Sequence, residues 1–271
     1  MCVNDSEAAV AFRQDIPSYE VPANVLVSFK KAFSPLDKEA QEGVKPGRCL
    51  ICGEEMPKYC VSHTVPRYCL KEIAVEGKLL TCAAVMGGNV IDSEVGVAKA
   101  ATFKQVCRKC DTEYFKLYET PETLLMRPSS QVMGQIAVKN LLREISKARY
   151  GVEINAVLGD ATSPMLDATA AVRVIDVAED EKAFKNALRV GRNPKAFNAF
   201  KLVYHAVLPY TAPFAFQQMI NPTADFEGGA INYPFNLNPS YRLEPLHVCV
   251  LPTKGRTVVM LFRGECAKRY R

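Results

Sequence analysis

Four cysteines are spaced to do metal chemistry. Cys49 and Cys52 make one Cys-x-x-Cys turn in CLIC, and Cys107 and Cys110 make a second in CRKC. Such a turn presents two sulfurs to one side of an ion, and zinc accepts four thiolates in a tetrahedron. The two pairs together predict a single structural Zn²⁺ site. Residues 53–106 lie between them, against roughly 15–20 in the simplest zinc ribbons, so a whole subdomain must fit between the pairs. Cys60, Cys69 and Cys82 fall inside that insertion as rival ligands, but each stands in an apolar or strand-like context where cysteine behaves as a small core residue. Cys2, Cys249 and Cys266 have no partner spacing and receive no role.

Between the pairs lie SHTVPR and GGN, and CRKC is followed directly by an aspartate. The order CLICG, SHTVPR, GGN, CRKCD resembles the HNH, or ββα-metal, endonucleases of treble-clef type, over residues 46–119. The resemblance implies a treble-clef-like zinc finger that hydrolyses phosphodiester bonds in nucleic acid, DNA favoured over RNA, with Mg²⁺ or Mn²⁺ at the catalytic centre. It makes His63 the general base, Asn89 the middle asparagine and Asp111 a ligand of the catalytic ion. Ser62 stands where the family commonly has an acidic or histidine residue, and a hydroxyl ligates such an ion weakly. Arg67, Lys71, Arg108 and Lys109 lie beside these residues in the sequence and would neutralise phosphates.

Each of these residues also has a plainer reading. His63 can be a structural histidine bonded to the backbone, or a zinc ligand in place of a cysteine. Asn89 sits in an ordinary Gly-Gly-Asn turn. Asp111 can cap the helix that follows Cys110, and the four basic residues can be a solvated face. The rival function is a non-catalytic zinc-finger protein that binds nucleic acid or a protein partner. Outside the HNH-like region, the chain resembles uncharacterised bacterial proteins, which supplies no function.

The elements that must position these groups follow from periodicity and punctuation. VPANVLVSFKKAF has apolar residues at helical spacing, and Lys45-Pro46-Gly47 turns the chain into the first cysteine pair. YCVSHTV reads as a strand, RYCLKEIA as a helix opened by Pro66 and closed by Gly77, KLLTCAAV as a strand, MGGNVIDSEVG as a loop and TFKQVC as a returning strand. CDTEYFKLYE reads as a helix. SSQVMGQIAVKNLLREISKARYG reads as a long helix stopped by Gly151, with Lys139, Arg143, Lys147 and Arg149 as surface charges, and SPMLDATAAVRVIDVAEDEKAFKNALRVG as another. KLVYHAVLPY, PFAFQQMI, LHVCVLP and RTVVMLF are short apolar runs between Pro, Asn and Gly clusters, the pattern of an antiparallel sheet in which His205 and His247 are packed or edge residues. ECAKRYR is a basic tail or short helix. The fold class is therefore α+β: residues 1–45 with one helix, a zinc-binding unit over 46–120, and a helical plus antiparallel-sheet unit over 121–271.

Composition bounds the rest. The chain has 271 residues, 48% of them hydrophobic, enough for one large core or two small ones. No apolar run reaches the roughly 18 residues needed to cross a bilayer, and the first residues lack the order of a signal peptide, so no membrane partner and a cytoplasmic location are expected. Ten cysteines in such a chain fit reduced thiols better than a disulfide scaffold. The net charge of +5 permits a local nucleic-acid-binding patch without requiring one. No phosphate-binding glycine loop, GxSxG elbow or HExxH helix occurs.

Overall fold

The computed structural model of the protein describes residues 23–81, 93–158, 178, 180–196, 199–225, 227–233, 236, 238, 241–264 and 267. Asn89 and Cys82, with Cys2 and Cys266, lie outside them. The expected helix over 163–191 does so in its first part, and the basic tail does so except for Ala267.

Helix α1 (Ala23–Gly43) is longer than the apolar spacing predicts and continues through Pro35. It packs along the long helix α5 (Ser130–Leu158), and Tyr150 of α5 donates a 2.6 Å hydrogen bond to Asp37. That packing carries helix beyond the amphipathic stretch. α5 likewise runs through Gly151, the expected stop, because tertiary contacts override a single weak helix former.

The segment holding the cysteines is built from short pieces. Strand β1 (Ser62–His63) pairs antiparallel with β4 (Thr102–Phe103), Ser62 opposite Phe103 and His63 opposite Thr102. β2 (Lys78–Thr81) pairs with β3 (Ser93–Gly96), so the end of the expected glycine-rich loop is a strand. α2 (Arg67–Ile73) has Pro66 as its N-cap and ends before Gly77, which instead serves the turn into β2 at φ 75°. α3 (Arg108–Tyr114) and α4 (Pro121–Leu125) lead into α5, and a further helix, α6, covers 180–192.

All four apolar runs of the last third are strands: β5 (Phe200–Leu208), β6 (Phe216–Ile220), β7 (Leu246–Thr253) and β8 (Arg256–Gly264). They form one antiparallel sheet in the order β5-β8-β7-β6. Lys254 and Gly255 both take left-handed φ in the tight β7–β8 turn, which matches the twist of a two-residue hairpin. On the inner face His247, Cys249 and Leu251 stand opposite Phe262, Met260 and Val258, all buried. α5 contacts β4, β5 and β6. Its residues from Val132 to Leu142 are buried whichever way they point, so it is enclosed between the cysteine segment and the sheet. Residues of both segments belong to one buried cluster running from Cys49 and Phe103 through Ile136 to Met260.

Candidate metal centre

The chain that carries Cys49 and Cys52 is bent by two backbone bonds, Cys49 N–H to Glu54 O and Gly53 N–H to Cys49 O, each 2.8 Å. Gly53 sits at φ 78°, a conformation that glycine alone adopts without strain. The second pair straddles the start of α3, where the Cys107 sulfur is the N-cap and accepts the Cys110 amide at 3.4 Å. The Cys107 amide donates to the Cys49 sulfur at 3.3 Å, locking one turn against the other.

The four sulfurs of Cys49, Cys52, Cys107 and Cys110 all lie within 4.8 Å of one another, with Cys52 and Cys107 at 4.0 Å. Around an ion with sulfurs at roughly 2.3 Å, tetrahedral geometry puts neighbouring sulfurs about 3.8 Å apart, so this donor set fits a metal ion. Burial raises the Cys49 thiol, but amide hydrogen bonds from Cys107, Cys52 and Ile51 outweigh it and draw its pKa below the usual value. Amides aimed at a sulfur favour its thiolate, the form that binds metal. Cys60, Cys69 and Cys249 are buried elsewhere and stay out of the cluster. Burial, then the Asp111 carboxylate, pushes the Cys60 thiol up to about 11.

Beside this cluster lies a buried charge. Asp111, one residue past Cys110, does not cap α3; its carboxylate accepts a hydrogen bond from Ser62 and an ion pair from Lys139 at 2.9 Å. Lys139 is fully buried on α5, and its ammonium also reaches Ser62 Oγ at 2.9 Å and Glu119 Oε1 at 3.0 Å. The ammonium donates hydrogen bonds to the Ser62 and Asp111 oxygens and pairs with the Glu119 carboxylate. The Phe115 ring also lies against the ammonium, its centroid 4.0 Å from the nitrogen. Burial alone would raise the Asp111 carboxyl; the Lys139 charge and the Ser62 and Lys139 hydrogen bonds reverse that and hold it below the usual carboxylate range.

This arrangement corrects two expectations. Asp111 is expected as a possible cap of the helix after Cys110, but the Cys107 sulfur caps that helix and the Asp111 carboxylate is held by Ser62 and Lys139 instead. Lys139 is expected on the surface and is in the interior. Beyond the four cysteines, no group of three or more His, Cys, Asp or Glu side chains converges as a ligand set among the described residues, so His63, Asp111 and Glu119 do not form one.

His63 is half-buried, and its Nε2 lies 3.0 Å from the Val97 carbonyl. A carbonyl only accepts, so Nε2 carries the proton and Nδ1 keeps the lone pair. Burial lowers the His63 pKa, the Val97 carbonyl opposing it in part, and the imidazole is neutral at pH 7. Arg67, Lys71, Arg108 and Lys109 are all exposed, and none forms an ion pair among the described residues. Lys147 and Arg149, by contrast, pair with Glu144 and Glu181.

Lys139 and Glu119 escape sequence reasoning. The available signal is the lysine's position in MGQIAVKNLL, a charge inside an apolar stripe that has to find a partner indoors. The helix and sheet content together make the protein mixed α+β with a four-cysteine cluster able to hold a metal ion. The chain matches no family model, no curated protein and no solved structure. Among the described residues no helix is long and apolar enough to cross a membrane.

Proposed function

We propose that the protein binds nucleic acid through a treble-clef-like finger stapled by zinc, and that this finger is structural and not the scaffold of a metal-dependent nuclease. The observation that carries the reading is the Lys139 ammonium, which takes up the Asp111 and Ser62 oxygens that a catalytic ion would need. Zinc suits a donor set of four thiolates, whereas Mg²⁺ and Mn²⁺ want oxygen. The four exposed cations near the finger, free of carboxylate partners among the described residues, fit phosphates.

Hydrolysis is the second reading, and one observation favours it. The Val97 carbonyl fixes the His63 tautomer that leaves Nδ1 unprotonated at neutral pH, as a general base requires.

One experiment addresses both. Zinc-loaded protein is titrated into a labelled duplex at several salt concentrations, and a parallel sample is incubated with plasmid and Mg²⁺ or Mn²⁺ beside His63→Ala. Binding is expected to weaken with salt and with the Arg108→Ala/Lys109→Ala pair, and plasmid is expected to stay intact. Metal-dependent nicking that His63→Ala abolishes while retaining zinc would replace the first reading with the second, and absence of any salt-sensitive binding would remove it.

A further inference from the structure

A cavity of about 530 Å³ opens beside the metal centre, between the first cysteine turn, α3 and the residues after it, the start of α5 and the end of α6. That is within the range of small-molecule sites. Two helices meet at glycines beside it, and Gly191 is part of its lining. A Cβ on Gly134 of α5 would come 2.7 Å from the backbone nitrogen of Gly191 on α6, and a Cβ on Gly191 would collide with the Tyr114 hydroxyl. The close crossing brings Arg192 over the cysteine turn, where one guanidinium nitrogen donates to Ile51 O at 2.8 Å. The remaining N–H groups of that guanidinium stay available.

The lining is rich in donors. Lys116 and Arg192 supply two cations, and Gln131 and Gln135 supply amides. Gln135 is only 3% exposed, and its Oε1 accepts the Tyr118 amide at 3.0 Å. Its Nε2 is thus left as a donor with no acceptor among the described residues, on a side chain that lines the cavity. Ile51 and Leu117 provide apolar wall, and Glu113 is the one carboxylate. Two cations suit a phosphate, an apolar wall suits a planar ring, and amides with one carboxylate suit the mixed edge of a base bearing an exocyclic amine.

We infer that this cavity holds a single nucleotide, its phosphate on Lys116 and Arg192 and its base edge on Gln131, Gln135 and Glu113. This rests on the nucleic-acid reading above and extends it. Lys116 follows α3, whose first turn carries Arg108 and Lys109, so a strand tracking those cations has a charged path to the cavity. The nucleotide has two sources, free in solution or unpaired within a strand.

The test uses the full zinc-loaded chain with 5′-CMP, inorganic phosphate and single-stranded oligo(dC), measured by calorimetry. The variants are Lys116→Glu and Gln131→Ala, whose side chains make no hydrogen bond or ion pair among the described residues. Binding of 5′-CMP is expected, weakened about tenfold by Lys116→Glu and unaffected by Arg108→Ala/Lys109→Ala. Oligo(dC) is expected to respond to both sets of changes if the nucleotide comes from a strand, and only to the second set if it is free. Failure of 5′-CMP to bind, equal binding by Lys116→Glu, or equally tight binding of phosphate alone overturns the inference. If oligo(dC) still binds through Arg108 and Lys109 in that case, the function proposed above stands. If no strand binds at all, that reading fails, and the 5′-CMP titration still decides the cavity.

Discussion

Lys139 is a fully buried cation whose loss would leave two carboxylates unpaired. Replacing it with Met keeps the volume and leaves the Asp111 and Glu119 carboxylates without their cation. Breaking one side of a buried pair costs about 3 kcal/mol. The urea midpoint of Lys139→Met is therefore expected to fall well below wild type, and adding Asp111→Asn is expected to recover part of the loss. Equal midpoints for wild type and Lys139→Met would show that the cluster contributes nothing to stability. The cysteine pairs were legible because zinc chemistry imposes its spacing within four residues. Lys139 was not, because Ser62 and Asp111 stand 77 and 28 positions away and only the fold says which charges meet. The sequence marks Asp111 as a residue with chemistry, but the partner that decides which chemistry lies on another element.

Helix crossing decides what the elements can tolerate. Gly191→Ala is expected to destabilise by about 1–3 kcal/mol, since a methyl there overlaps the Tyr114 hydroxyl. Tyr114→Phe removes that oxygen at the cost of its 3.3 Å bond to Leu188 O, so the double variant should unfold at higher denaturant than Gly191→Ala alone. If the second change gives no recovery, the collision is not what limits the site. The strands of the last third are legible in the sequence because each alternates or runs apolar between Pro and Gly punctuation, a signal confined to a few residues. Strands of two residues, β1 and β4, carry too little pattern to delimit, and YCVSHTV accordingly reads longer than it is. The stop expected at Gly151 fails for the opposite reason: α1 lies against that end of α5 and supplies packing that no window of one helix contains.

A buried polar chain runs between the cysteine segment and the sheet, from the Thr64 carbonyl through Tyr118 and Gln217 to Asn140 and His247. Burial pushes His247 down to about 3. Below pH 6.5 the unfolded chain takes up a proton there that the folded chain refuses, so stability falls as pH falls, by about 1.4 kcal/mol per pH unit towards 3. His247→Gln, compared with wild type from pH 6.5 to 4.5, is expected to show the shallower slope; parallel slopes would place the titrating group elsewhere. Removing zinc with a strong chelator is expected to lower the thermal midpoint by about 10 °C, and elemental analysis that finds no zinc beforehand would refute the assignment. The reach of Lys139 from α5 into the cysteine segment carries a last consequence for anyone who would cut the protein apart. A fragment covering 46–120 would keep its four sulfurs yet lose the cation that its own acids and the Phe115 ring are arranged around. Such a piece is not a transplantable finger, and grafted into another host it should prove insoluble or misfolded even with its ion in place.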